Sequence, residues 1–139
     1  MNPPPNGIPR AAQLTTSPFP VTWTSSSHNF DGYVVFGVVL PSAYSQPTLF
    51  GAVVRQTMPR YIKCPVVNGQ IDQTTGIPWN SDVDPPGTAW VAYWYDNSDN
   101  LINPQSGSAV AFSVGASAYT LVPPALPLPV GSNTPVPQP

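Results

Sequence analysis

Proline limits the folds open to this chain more than any other feature, because 21 of its 139 residues are Pro. Inside an α-helix, proline removes a hydrogen-bond donor and its ring clashes with the preceding turn, so helices tolerate it only near their start. Residues that favour helices are also scarce, since the chain contains no Glu and a single Lys. The sequence therefore predicts a protein made of strands and loops.

The prolines are concentrated at the two ends. Residues 1–20 contain six of them and residues 122–139 contain seven, whereas all four tryptophans lie in between. About 100 residues are enough to form a single hydrophobic core. The distribution predicts one domain at residues 21–121, with Pro-rich, extended arms at residues 1–20 and 122–139.

Within residues 21–121, short runs of β-branched and aromatic residues alternate with turn residues, a pattern typical of strands. The clearest run is GYVVFGVVL at residues 32–40, and Asn68-Gly69 is the strongest hairpin signal. Residues 49–57 and 60–67 are further candidate strands, although Pro59 and Pro65 restrict them to edge positions. We therefore predict an all-β, immunoglobulin-like β-sandwich of six to eight short antiparallel strands, with a small barrel as the alternative.

The stretch DVDPPGTAWVAYWYDNSDN at residues 82–100 is rich in aromatic residues. In a strand, alternation places Trp90 and Trp94 on one face and Tyr93 and Tyr95 on the other. The rings either belong to the core or form a flat surface on which sugar rings could stack. Aromatic strands in sandwiches are more often core, so we predict that at least one of Trp90 and Trp94 is buried. The candidate glycan-facing residues under the second interpretation are Trp79, Trp90, Trp94 and Tyr95.

Residues suited to catalysis or metal binding are few. The single histidine, His28, has no G-x-S-x-G motif to accompany it, and one His with one Cys cannot supply the four ligands of a structural zinc site. The Asp-rich turn at residues 96–100 lacks the Gly and the closing Glu of a calcium-binding EF-hand loop, so self-bonded Asx turns are expected there. We predict no catalytic residue, no metal, no cofactor and no enzymatic activity, and we expect Cys64 to be a core residue.

The charge and the hydropathy of the chain argue against a nucleic-acid partner and against a membrane segment. The formal net charge is -2 with only four basic residues, which is too little positive charge for nucleic-acid binding. No apolar run approaches the roughly 18 residues of a membrane helix, and the first residues do not resemble a signal peptide. We therefore expect neither a nucleic-acid partner nor a membrane segment.

The start of the C-terminal arm, LVPPALPLPV at residues 121–130, is more apolar than a linker requires. It is either a disordered tail or a segment that docks on a neighbouring chain, and proline prevents it from joining the middle of a sheet. The docking alternative predicts contacts with other chains rather than with its own domain. The predicted partner-binding residues are Leu121, Val122, Leu126, Leu128 and Val130.

Residues 66–102 resemble the β-sandwich modules of tailed-phage virion proteins. In that pattern an Asn-Gly turn ends a strand, a loop follows, and P-x-G-T leads into an aromatic strand closed by Tyr-Asp. The corresponding residues are Asn68-Gly69, residues 86–88 and Tyr95-Asp96, while the pattern differs at residues 98–100, where many such modules have a glycine turn.

The resemblance implies a non-enzymatic bacteriophage structural protein made in the host cytoplasm and located in the virion. The favoured role is a capsid decoration protein, head spike or head fibre that binds the major capsid protein or other virion proteins and forms a homo-oligomer. A tail or baseplate adaptor is the nearest alternative within this class. Outside it, a module that binds carbohydrate or the host surface through the four candidate aromatic residues remains open, as does an unrelated interaction domain.

Overall fold

The computed structural model describes residues 10–17, 19–24, 28–41, 48–50, 55–72, 76–84, 86–102, 111–123 and 126. These residues form a mostly-β protein with no α-helix among them and a 3-10 turn at Asn80–Asp82. The strands are β1 (Ala11–Ala12), β2 (Leu14–Thr16), β3 (Gly32–Val39), β4 (Thr48–Phe50), β5 (Arg55–Thr57), β6 (Tyr61–Val67), β7 (Gln70–Ile71), β8 (Ile77–Pro78), β9 (Val83–Asp84), β10 (Ala89–Asp96) and β11 (Tyr119–Leu121).

The largest element is a curled, antiparallel four-stranded sheet in the order β10-β3-β6-β7. Strands β3 and β10 pair over eight residues each, which confirms both predicted strands. Asn68 and Gly69 connect β6 to β7, with φ angles of 54° and 79°. Positive φ at both central residues is typical of the type I′ hairpin turn, so the hairpin predicted from Asn-Gly is confirmed.

The remaining strands form three small sheets, in which β1 pairs with β8, β2 with β11, and β4 with both β5 and β9. The single strand predicted for residues 49–57 is two antiparallel strands, β4 and β5. Strand β11 pairs parallel to β2, whereas the sequence predicted antiparallel strands throughout. Hydrophobic alternation indicates which residues face inward, but it carries no information on the direction of the partner strand.

Proline is accommodated inside the large sheet at one position, Pro65 in β6. Strand β7 is short and pairs only with Val66 and Val67, so most of β6 has a sheet neighbour on its β3 side alone. The carbonyl of Pro65 accepts a hydrogen bond from the Asp72 N–H at 2.9 Å, beyond the end of the β7 pairing. The missing N–H of Pro65 points to the same side, because both groups of one residue face the same neighbour in an antiparallel ladder.

The core lies on the inner face of the four-stranded sheet and is shared by residues of the small sheets. Trp23, Trp90 and Trp94 are among the largest fully buried side chains. Phe30 joins two of them, with ring centroids 4.8 Å from Trp23 and 5.9 Å from Trp94 in edge-to-face geometry. Cys64 is also buried, as predicted.

Parts of both predicted arms contribute to this core. Strands β1 and β2 lie within residues 1–20, and Ala12 and Leu14 are buried. The segment AAQLTT at residues 11–16 contains no proline, so each of its N–H groups is available for strand pairing. At the other end, Leu121 and Leu126 are buried in the same core, whereas residues 1–9 and 127–139 lie outside the described residues.

Replacing Gly69 by Ala is expected to destabilise the protein by about 1–3 kcal/mol, because an L-residue is strained at positive φ. The added Cβ would also lie 2.6 Å from the Pro20 side chain and 2.7 Å from the Val21 carbonyl oxygen. Gly115→Ala is the matched control, since a Cβ there meets nothing within 4 Å. Urea unfolding monitored by circular dichroism measures both changes, and equal stability of the two variants would contradict this account of the turn.

Candidate functional site on the outer face of the large sheet

Two of the four candidate glycan-facing residues are inside the protein. Trp90 and Trp94 are 0% and 2% exposed, so neither ring can be reached by a sugar. The indole N–H of Trp90 donates to the carbonyl of Pro78 at 3.1 Å, which satisfies its polar group within the fold. The prediction that these two tryptophans share one strand face, with at least one in the core, is confirmed.

Trp79 is half-buried and already has a cation over its ring. The guanidinium carbon of Arg10 lies 4.2 Å from the ring centroid, a distance typical of a cation–π contact. The same guanidinium donates to both carboxylate oxygens of the buried Asp82, at 2.6 and 3.1 Å. This hydrogen bond, followed by the charge of Asp82, raises the pKa of Arg10. Through these contacts Arg10, the residue before β1, packs against the loop that carries Trp79 and Asp82.

The aspartates near the aromatic strand have structural partners. The carboxylate of Asp96 is buried and accepts the backbone N–H groups of Ser98 and Asn100 at 2.8 and 3.0 Å, which confirms the expected Asx turn. Within the described ranges, no group of three or more His, Cys, Asp or Glu side chains is arranged to hold a metal ion.

The outer face of the four-stranded sheet carries four tyrosines. Strand register places Tyr95 opposite Tyr33, and Val91 opposite Gly37, which in turn is opposite Tyr61. Alternation places Tyr93 on the same face, two residues from Tyr95. We call this surface the tyrosine face; it consists of Tyr33, Tyr61, Tyr93 and Tyr95 together with Gly37 and Lys63.

One end of the tyrosine face is an ordered cluster. The rings of Tyr33 and Tyr95 are stacked, with centroids 5.0 Å apart and planes at 6°, and the Lys63 ammonium lies 4.1 Å from the centroid of Tyr33. The hydroxyl of Tyr33 donates to Oδ1 of Asp99 at 2.7 Å. These contacts hold the rings in place before any partner binds, which lowers the entropic cost of binding.

At the other end of the tyrosine face, the rings of Tyr61 and Tyr93 lie over the buried Gly37. A Cβ on Gly37 would lie 3.2 Å from the ring of Tyr61 and 3.5 Å from the ring of Tyr93, so both rings border the space that a side chain would fill. Tyr61 is 63% exposed, and Val67, further along β6, is 65% exposed. Tyr33, Tyr93 and Tyr95 are partly exposed. Several accessible aromatic rings on one sheet face are more typical of an interaction site than single exposed hydrophobic residues.

Only one tyrosine of this surface, Tyr95, is among the candidate residues predicted from the sequence. The other three come from β3, β6 and β10, and they become neighbours only through strand register. A signal was present in β6, where the outward positions in YIKCPVV are Tyr61, Lys63, Pro65 and Val67. A strand whose outward positions are largely apolar indicates a surface with a function.

Removing the carboxylate of Asp99 is expected to change the titration of Tyr33. The hydrogen bond to Asp99, burial and nearby negative charge raise the pKa of Tyr33 to about 12, above the value of about 10 for an unperturbed tyrosine. The stability that this bond provides is therefore complete below pH 10 and is lost as the pH rises towards 12. Asp99→Ala should return the Tyr33 pKa towards about 10.

Tyrosinate absorbance during alkaline titration tests this prediction. The difference between the native protein and Tyr33→Phe isolates the contribution of Tyr33, and the same difference in the Asp99→Ala background gives the shifted midpoint. Identical midpoints in the two backgrounds would contradict the role of Asp99.

The predicted partner-binding residues of the C-terminal arm differ in position. Leu121 and Leu126 are buried in their own domain, which means that they are not available to a neighbouring chain in this structure. Val122 is 75% exposed and remains accessible. Leu128 and Val130 lie outside the described residues.

The chain has no match among protein-family models, curated proteins or solved structures. In the part of the chain that the structure describes, no helix has the length and apolar character needed to cross a membrane.

Proposed function

We propose that this chain is a non-enzymatic structural protein of a bacteriophage virion, acting as a capsid decoration protein, head spike or head fibre. The tyrosine face is the observation that carries the proposal, because it lies on the outer side of a paired sheet, is aromatic and includes the exposed ring of Tyr61. Tyrosine is enriched at the centres of protein interfaces. In this proposal the tyrosine face binds the major capsid protein or another virion protein.

The proposal includes an immunoglobulin-like sandwich, in which the small sheets form a layer facing the four-stranded sheet. The support is the shared core, to which Leu14 of β2, Ile77 of β8 and Val83 of β9 contribute alongside the inner face of the large sheet. The low charge of the chain and the resemblance of residues 66–102 to phage virion modules also favour this class. Such a domain has one face buried and leaves the other available for a partner.

A second candidate function, binding of carbohydrate at the host surface, is favoured by the stacked Tyr33 and Tyr95 rings. Aromatic rings beside hydrogen-bonding groups can bind sugars, and Lys63 and Asp99 lie at the same end of the face. Of the four aromatic residues first considered, this alternative retains Tyr95 alone on the tyrosine face. Trp90 and Trp94 are excluded by their burial.

Replacing Tyr61 and Tyr93 together by Ala tests the structural role, and replacing Tyr95 by Ala tests the carbohydrate-binding role. We expect binding to purified virus particles to weaken by about tenfold or more in co-sedimentation, because truncation of central aromatic residues removes much of an interface's affinity. Phe19→Ala is the control, since Phe19 is an exposed ring outside the four-stranded sheet. Undiminished particle binding of the Tyr61 and Tyr93 double variant, combined with loss of binding to immobilised glycans in Tyr95→Ala, would replace the structural role with the carbohydrate-binding role.

A further inference from the structure

We propose that the tyrosine face binds the Pro-rich C-terminal segment, residues 127–139, of a second copy of this chain. The inference rests on the proposed structural function, and it specifies which virion protein binds the tyrosine face, namely a second copy of the same chain. It follows from the chemistry of the face, the chemistry of the segment, and the place where the described chain ends.

Aromatic rings lining a shallow surface are the usual receptors for proline-rich segments. Such segments adopt the polyproline II helix, which loses little conformational entropy on docking because it is already extended. The tyrosine face offers two sets of rings, the stacked pair of Tyr33 and Tyr95 and the pair of Tyr61 and Tyr93 bordering Gly37. Tyr33 and Gly37 are four residues apart in β3, or about 13 Å. About four residues of polyproline II helix span that distance.

The segment matches this surface in polarity. Residues 127–139 have the sequence PLPVGSNTPVPQP, which contains five prolines, Leu128, two valines and no charged side chain. A polyproline II backbone makes no internal hydrogen bonds, so its carbonyls are available as acceptors. The ammonium of Lys63 and the hydroxyls of Tyr61, Tyr93 and Tyr95 are donors on the face. Proline and aliphatic side chains would cover the rings.

The position of Leu126 favours a second copy over the same chain. Its side chain is in the core, its N–H donates to Thr24 Oγ1 at 2.5 Å, and its carbonyl accepts the Thr24 N–H at 2.8 Å. The core lies on the side of the sheet opposite the tyrosine face. If the segment bound the tyrosine face of its own chain, part of its 13 residues would be needed to pass round the edge of the sheet. The segment of a neighbouring chain can reach the tyrosine face without passing round that edge.

Sedimentation velocity over a range of concentrations tests the proposal with three variants. One lacks residues 127–139, one carries Tyr61→Ala with Tyr93→Ala, and the matched control lacks residues 1–9, the other Pro-rich end. We expect the full chain and the control to self-associate, and the first two variants to remain monomeric. Mixing these two monomers should restore a 1:1 heterodimer, because one supplies the face and the other supplies the segment.

A further variant, with Tyr61→Phe and Tyr93→Phe, keeps the rings and should retain most of the self-association, and circular dichroism establishes that each variant is folded. A full chain that stays monomeric at every concentration would overturn the proposal, as would a mixture that forms no heterodimer. Particle binding is measured separately on each variant. Self-association without particle binding would contradict the virion role and leave the docking of the segment intact.

Discussion

Trp94→Ala is expected to lower the free energy of unfolding by about 3–5 kcal/mol, the range for truncation of a fully buried tryptophan. Trp94 is 2% exposed, and its ring packs edge-to-face against Phe30 with centroids 5.9 Å apart. Replacement by Ala removes apolar burial and leaves a cavity beside Phe30 and Trp23. Urea unfolding followed by far-ultraviolet circular dichroism gives the loss directly.

Tyr95→Ala is the matched control, because Tyr95 is the next residue of β10 and points to the opposite face. Its main packing partner is the stacked ring of Tyr33, so we expect a loss of only about 1 kcal/mol. Equal losses for the two variants would contradict the assignment of inner and outer faces. Unchanged stability of Trp94→Ala together with lost glycan binding would restore the tryptophan sugar-binding hypothesis.

Arg10→Ala is expected to destabilise the protein more than alanine replacement of Arg60 or Lys63. It removes the hydrogen bonds from the guanidinium to Asp82, a carboxylate with 0% exposure. Removing one partner of a buried ion pair leaves the other as an uncompensated charge in a medium of low dielectric constant. Contact with the Trp79 ring is lost as well. The midpoint of thermal unfolding ranks the three variants.

The double variant Arg10→Ala with Asp82→Ala separates the charge effect from lost packing. Because the double variant also removes the unpaired Asp82 carboxylate, we expect it to be more stable than Arg10→Ala alone. A double variant less stable than Arg10→Ala would mean that Asp82 stabilises the loop independently of the Arg10 side chain. Its acceptance of the Arg10 backbone N–H at 2.9 Å is the contact that could do so.

Strands β3, β6 and β10 could be predicted from the sequence because each has several consecutive residues that favour strands and ends at clear turn residues. Alternation alone does not say which face of β10 is buried, since the side with Trp90 and Trp94 and the side with Tyr93 and Tyr95 are both compatible with a core. Packing determines which face of β10 is buried. Phe30 and Trp23, which come from a loop region distant in sequence, cover the tryptophan side.

The tyrosine face was harder to predict, because its residues are separated in sequence by up to about sixty positions and meet only through pairing register. Placing Tyr61 opposite Gly37 requires knowing that β6 pairs with β3 in one particular alignment. Strands β1 and β2 were missed for a different reason. The high proline content of residues 1–20 obscured the proline-free segment at residues 11–16, and its pairing with β8 and β11 depends on the whole fold.

The central claim, that the tyrosine face is the binding surface of an assembly protein, is tested most directly by tyrosine-specific chemical labelling of the free protein and of virus particles that contain it. Tyr61 is 63% exposed in the isolated chain, so it should be labelled readily in the free protein when the protein is monomeric, as at high dilution or in the variant that lacks residues 127–139. The account predicts strong protection of Tyr61 in the particle, read by mass spectrometry of the peptide that contains it. Equal labelling of Tyr61 in the free protein and in the particle would contradict it.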